Sequence, residues 1–114
     1  MAICDYTHNA VIQSKDRNIY KTQARVLKAL ANETRLLIVD RLHRGECTVT
    51  ELIDLVDLDQ STVSKHLAVL RNSGIVEDER QGNRVVYRLL TPCVMNFLSC
   101  AADVLRERRA RERF

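Results

Sequence analysis

The sequence has no tryptophan, one proline and three glycines, and only 4% of its residues are aromatic. That scarcity argues against a β-sandwich or barrel, whose many tight turns consume glycine and proline. A disordered chain is excluded as well, because 46% of the residues are hydrophobic and the net charge is only +3. No apolar run approaches the ~20 residues that a membrane-spanning helix needs. The N-terminal stretch "MAICDYTHNAVIQSKDRN" is broken by Asp5, His8 and Lys15, so it lacks the apolar centre of a secretory signal. A cytoplasmic address is expected, with no membrane partner. In that compartment thiols stay reduced, so Cys4, Cys47, Cys93 and Cys100 are not expected to form a disulfide framework. At 114 residues the chain holds one domain, short enough to gain from burying surface against a second copy.

What is present is helical periodicity. Ile19, Val26, Leu27 and Leu30, extended by Ala24 and Ala31, recur at helical spacing between Asn18 and Asn32. Asn32 then predicts an N-cap for "NETRLLIVDRLHRG", with Glu33 in the first turn and Gly45 as the stop. Thr48 and Glu51 have capping-box spacing at the head of "TVTELIDLVD". After "LDQ", the run "STVSKHLAVLRNSG" reads as a fourth helix, with Ser61 as cap, Val63, Leu67 and Leu70 inward, and Gly74 as terminator. The period then changes: "GIVEDERQGNRVVYRLL" carries β-branched residues on both sides of a Gly82–Asn83 turn, the pattern of a two-stranded hairpin. Thr91 as cap and Pro92 at the first helical position start a last helix, whose apolar stripe is Val94, Phe97, Leu98, Ala101 and Leu105.

Two short helices joined by a tight turn and followed by a hairpin have the layout of a winged helix-turn-helix, in which the second helix of the pair enters the major groove. The residues suit that task. Gln60, Ser61, Thr62, Ser64, Lys65 and His66 are polar around the first turns of the fourth helix. Small hydroxyls approach base edges closely, and Gln60 can pair with adenine. Lys65 and Arg71 can neutralise phosphates, and Arg80, Arg84 and Arg88 on the hairpin suit backbone or minor-groove contacts. Any amphipathic helix has a polar outer face. The short turn, the preceding helix and the arginine-bearing hairpin together favour double-stranded DNA as partner. The acids dominate from Asp40 to Asp59, and bases gather later, including the tail "RERRARERF". No nucleophile–base pair or glycine-rich phosphate loop points to an enzyme.

The runs "LKALANETRLLIV", "STVSKHLAVLRNSGIV" and "RQGNRVVYRL" lie between Leu27 and Leu90, over half the chain, and resemble the ArsR/SmtB family of bacterial repressors closely. The resemblance implies a homodimer joined through its terminal helices and an operator released on binding an inducer, with no cofactor required for DNA binding. The expected division is an arm at 1–17, a winged-helix DNA-binding and dimerisation domain at 18–110, and a charged tail at 111–114. The family's thiolate pair at the start of the third helix falls on Thr48 and Thr50, in "GECTVTEL", so that site is absent; Cys47 is expected to be a buried small residue or a bystander. The zinc-type positions on the last helix fall on Thr91, Cys93, Val104 and Glu107, which do not make a four-coordinate zinc site.

Cys93 and Cys100 remain, with Cys4 as a candidate third ligand. In "TPCVMNFLSC" the two cysteines are two helical turns apart, on one face. A thiol at a helix N-terminus is biased toward the thiolate, which suits a soft ion. Trivalent arsenic, inorganic or organic, is the leading expected inducer. Cadmium or another thiophilic metal, or a redox or persulfide signal on the same pair, are the alternatives. A straight helix separates the pair by ~10.5 Å of rise, too far for one compact site. The first turn must unwind, or the partner's helix must bring the thiols together. Plain packing is the competing role for both, since cysteine is often buried.

Overall fold

Asn32 divides the first two helices. Its extended backbone stops α1 (Arg17–Leu30), and its side chain accepts from the amides of Thr34 and Arg35 at 2.9 and 3.2 Å, which starts α2 (Glu33–His43). The structure, a computed structural model, describes residues 17–112. After Gly45, Cys47–Thr48 form a short strand, β1, and Thr48 then caps α3 (Val49–Val56) through the Glu51 amide, as the Thr48–Glu51 spacing predicted. Asp57 ends α3 in the left-handed conformation at φ 59°, a region that aspartate tolerates better than most side chains. Three residues later α4 (Gln60–Asn72) begins. Gly74, at φ 80°, turns the chain into β2 (Val76–Gln81), and Gly82–Asn83 link β2 to β3 (Arg84–Leu89) in register Gln81↔Arg84. The last helix, α5, spans Val94–Glu112.

The expected two-stranded hairpin is a three-stranded antiparallel sheet in the order β1-β3-β2, with Cys47 opposite Tyr87 and Thr48 opposite Val86. Two residues carry no period that a sequence reading could detect. The core lies where α2, α3 and α4 meet the sheet. Ile38 and Val39 of α2, Leu52 of α3, and Val63, Leu67 and Leu70 of α4 are all fully buried, and Ile75, Val76, Cys47, Tyr87 and Val94 close the far side. Each such side chain contributes about 1.5–3 kcal/mol by leaving water.

Two further expectations change. The cap of α4 is Asp59 rather than Ser61: Asp59 has the extended backbone and accepts from the Thr62 amide. The last helix starts later than expected. Val94, Met95 and Asn96 donate back three residues, to Thr91, Pro92 and Cys93, so Pro92 and Cys93 sit in a tight lead-in turn. Thr91 contributes its carbonyl there, while its hydroxyl is buried without a partner. The outer faces of the terminal helices are uncovered: Tyr20 and Leu27 on α1, and Phe97, Val104 and Leu105 on α5, are 47–68% exposed. No helix among the described residues is long and apolar enough to cross a membrane.

Leu67→Ala is expected to cost about 2–5 kcal/mol of stability and Asn32→Ala about 1 kcal/mol. Both should appear as lower urea midpoints with unchanged slope at fixed protein concentration.

Candidate nucleic-acid interface

The inward stripe of Val63, Leu67 and Leu70 fixes the rotation of α4. With those side chains buried, Gln60, Ser61, Ser64 and Lys65 are left exposed on the outer face, while Thr62 and His66 are half-buried. The three-residue turn from α3 presents this end of the helix rather than its middle. Gln60 and Ser64 share one groove, of about 830 Å3, with Asn83 and Arg84 at the tip of the hairpin and with Thr48, Thr50 and Glu51 of the α3 start. Of the ten residues expected to meet DNA, Gln60, Ser64 and Arg84 are thus brought together. Arg80 is exposed on β2, one residue before Gln81, and neither Arg80 nor Arg84 has a carboxylate partner among the described residues.

Arg71 and Arg88 are engaged elsewhere. Arg71 pairs with Asp78 of β2 at 3.2 Å, tying the end of α4 to the hairpin. Tyr87 lies beside that pair, and burial, with the Asp78 charge second, pushes its phenol up. Arg88 meets three carboxylates: Glu79 at 2.8 Å, and Glu77 and Glu46 at 3.2 Å. Hydrogen bonds to these three, Glu79 first, hold its guanidinium more firmly protonated than usual. Glu46 precedes β1, Glu77 and Glu79 lie on β2, and Arg88 lies on β3, so one cation clips all three strands together. It is not a free phosphate contact. The pairing Glu77↔Arg88 follows from the hairpin register, which the two-residue turn had already fixed.

Asp59 went unrecognised in the sequence, although Asp just before a helical apolar pattern is itself a cap signal. Its carboxylate takes the hydroxyl protons of Ser61 and Thr62, at 2.5 and 2.6 Å, as well as the Thr62 amide at 3.2 Å. Those bonds, Ser61 first, hold its acid down at about 2. Near the groove, Cys47 is buried as expected, and its thiol donates to Glu51 at 3.5 Å. Burial pushes that thiol up. The Thr48 hydroxyl, then the Cys47 thiol, hold the Glu51 carboxyl down.

The cysteines of the last helix line different cavities. Half-buried Cys93 borders a space of about 450 Å3 walled by Leu27 and Leu30 of α1, Gly74 and Ile75 after α4, and Phe97 of α5. Cys100 is exposed, in a groove with Asp103, Val104 and Glu107. Among the described residues no three histidine, cysteine or acidic side chains are close enough to hold a metal ion. Cys4 lies outside the described residues.

The family model described as "Bacterial regulatory protein, arsR family" matches residues 32–78. HTH-type transcriptional regulator NmtR of Mycobacterium tuberculosis is 41% identical over 75 residues, which are 66% of this chain and 62% of NmtR, so the match falls short of two thirds of that relative. The uncharacterized HTH-type transcriptional regulator Rv0081 of the same organism is 35% identical over 76% of this chain and 77% of its own length. Its crystal structure superposes with a TM-score of 0.73 over 84% of this chain and 97% of that one, at 32% identity. The solution structure of the homodimeric winged helix-turn-helix domain of Mb0332 from Mycobacterium bovis, a possible ArsR-family regulator, gives the same score at 31% identity, over 88% and 93%.

Two outcomes follow. Because the Asp59 acid is held low, its ionised form favours the folded state above about pH 4, and that contribution fades as pH falls toward 2. Asp59→Asn should flatten the acid limb of stability against pH over that window, as read by circular dichroism. Arg88→Gln should speed hydrogen exchange at β2 and β3 amides, because three carboxylates lose their shared cation. Glu79→Gln, which leaves two of the three pairs, should change it much less.

Proposed function

The chain belongs to the arsR family of bacterial regulatory proteins, and we propose that it acts there as a homodimeric repressor whose operator is released when thiols of the last helix capture a thiophilic inducer. It has the winged helix-turn-helix fold and is a transcriptional regulator, not an enzyme. One observation carries the DNA-binding reading: the exposed end of α4 and the tip of the hairpin face one groove. Gln60, Ser61, Thr62 and Ser64 then address base edges, while Lys65, His66, Arg80 and Arg84 lie against phosphates or the neighbouring minor groove. Arg71 positions the hairpin against α4 through Asp78. No cofactor takes part in DNA binding, and the site of action is the cytoplasm, where the operator lies.

A second copy is the partner that the uncovered faces call for. Phe97, Val104 and Leu105 on α5 and Tyr20 and Leu27 on α1 are large apolar side chains left in water by the single chain. Burying them between two copies sets the spacing of the two α4 helices, and with it the half-site spacing of the operator.

The inducer reading rests on Cys93 and Cys100, with Cys4 as third ligand. The two thiols open into separate cavities of one chain, which favours a site assembled between copies, where α5 meets its counterpart. Trivalent arsenic, inorganic or organic, is the proposed inducer, on the chemistry of soft thiolate ligands. The Cys93 cavity is walled in part by Gly74 and Ile75, directly after α4, so a ligand there acts on the reading helix. Coupling of ~1–3 kcal/mol is enough for release.

Fluorescence anisotropy on the protein's own promoter tests this, with arsenite, phenylarsine oxide, Cd(II), Zn(II) and polysulfide as effectors. Trivalent arsenicals are expected to release the wild type and to leave Cys93→Ser and Cys100→Ser bound. Release by polysulfide alone would make the pair a redox switch, and release by Cd(II) alone a metal site. Unchanged binding throughout would reduce both cysteines to packing. Sedimentation should give a dimer, and Phe97→Glu should shift it toward monomer with at least a tenfold loss of operator affinity.

A further inference from the structure

The N-terminal end of α4 combines a carboxylate with two hydroxyls whose protons are already committed. An ionised carboxylate only accepts hydrogen bonds. The 2.5 Å contact from Ser61 Oγ to Asp59 Oδ2 and the 2.6 Å contact from Thr62 Oγ1 to Asp59 Oδ1 therefore fix both hydroxyls as donors to Asp59. A hydroxyl has one proton, so what Ser61 and Thr62 still offer a third party is lone pairs. The Thr62 amide, a donor that a helix start commonly gives to a phosphate, is also taken by Asp59. The end of the helix is thus an acceptor surface made of Asp59, Ser61 and Thr62 oxygens, with negative charge at its centre. Phosphate oxygens are acceptors too and are repelled by it.

We propose that Asp59 sets the base preference of this protein: by holding the Ser61 and Thr62 protons, it makes the start of α4 a reader of exocyclic amino groups in the major groove. In that groove only adenine N6 and cytosine N4 present donors, while guanine and thymine present acceptors at the corresponding edges. Ser61, exposed at the second position of α4, makes the contact, and half-buried Thr62 supports it. Asp59 itself is a specificity-determining residue that acts through these hydroxyls. The inference rests on α4 being the DNA-reading helix and adds which functional group it reads. It also makes the Asp59 charge useful, because a carboxylate at a DNA face otherwise only weakens binding.

The test uses the full-length protein on an operator selected from random duplexes. The base pair met by Ser61 is the one at which Ser61→Ala loses discrimination. At that pair, adenine is replaced by purine, or cytosine by 2-pyrimidinone, to delete the amino group, and in parallel the purine of the pair is replaced by its 7-deaza analogue, to delete an acceptor. Deleting the amino group should weaken wild-type binding by up to about tenfold, the scale of one hydrogen bond, and leave Ser61→Ala indifferent. Asp59→Gly is a tolerated helix cap but has no side-chain acceptor, so it frees both hydroxyl protons. Its penalty for the missing amino group should fall below about threefold, judged as a ratio so that its lost charge cancels. Sensitivity to acceptor deletion instead, or an unchanged penalty in Asp59→Gly, would overturn the inference while leaving DNA binding intact. Failure of the wild type to select any duplex would overturn both this and the DNA-reading role of α4.

Discussion

Val63, Leu67 and Leu70 are spaced at four and three residues along α4, and all three are fully buried against α2, α3 and the sheet. That packing is the constraint on which the remaining arrangement depends. It leaves the helix one rotational setting, and that setting turns Gln60, Ser61, Ser64 and Lys65 outward together. It also sets where Arg71 emerges, and so where the hairpin is held, because the Arg71–Asp78 pair joins the helix end to β2. Isolated, such a pair near solvent is worth little. Its consequence is geometric: it and the Arg88 clip fix the hairpin relative to a helix that the core has already fixed.

The charge pattern follows the same logic. A chain of net charge +3 carries a run of acids, Glu77, Asp78 and Glu79, along the strand beside its proposed DNA face. Alternation along the strand sends Glu77 and Glu79 to one face and Asp78 to the other. Each face meets its own arginine, Arg88 or Arg71. The acids are therefore neutralised locally, and Arg80 and Arg84 at the hairpin end keep their charge for a partner. Among the described residues Asp59 has no arginine beside it, and its neighbours are two hydroxyls and an amide instead.

A single copy leaves apolar area exposed on α1 and α5 but nowhere opens its central core. The winged helix packs its core within one chain, whereas the terminal helices keep large apolar side chains uncovered. Cys93 belongs to the boundary between these parts, in a cavity shared by α1, the end of α4 and the start of α5. Cys100 belongs to the outer half alone. This division explains why the two thiols, on one short stretch of sequence, do not form a site in one copy.

Much of the fold was legible because local rules decide it. Asn32, Thr48 and Gly82–Asn83 act on backbone within four residues, and the stripes of α2 and α4 record burial at a fixed period. Cys47 was expected to be buried on a different ground, because cysteine is among the residues most often buried. Other features depend on groups distant in sequence. β1 is too short for a period and exists because β3 offers it an edge. Arg88 reads as a DNA contact until Glu46, 42 residues away, comes within 3.2 Å. Leu27 and Phe97 read as core, since hydrophobicity reports that a face wants cover and not what covers it. The sequence by itself determined the starts of α2 and α3, the buried stripe of α4 and the family, because those are written in short-range chemistry and spacing. The tertiary structure decided which charges are spent and which thiols stand apart, because each depends on what the fold brings within reach.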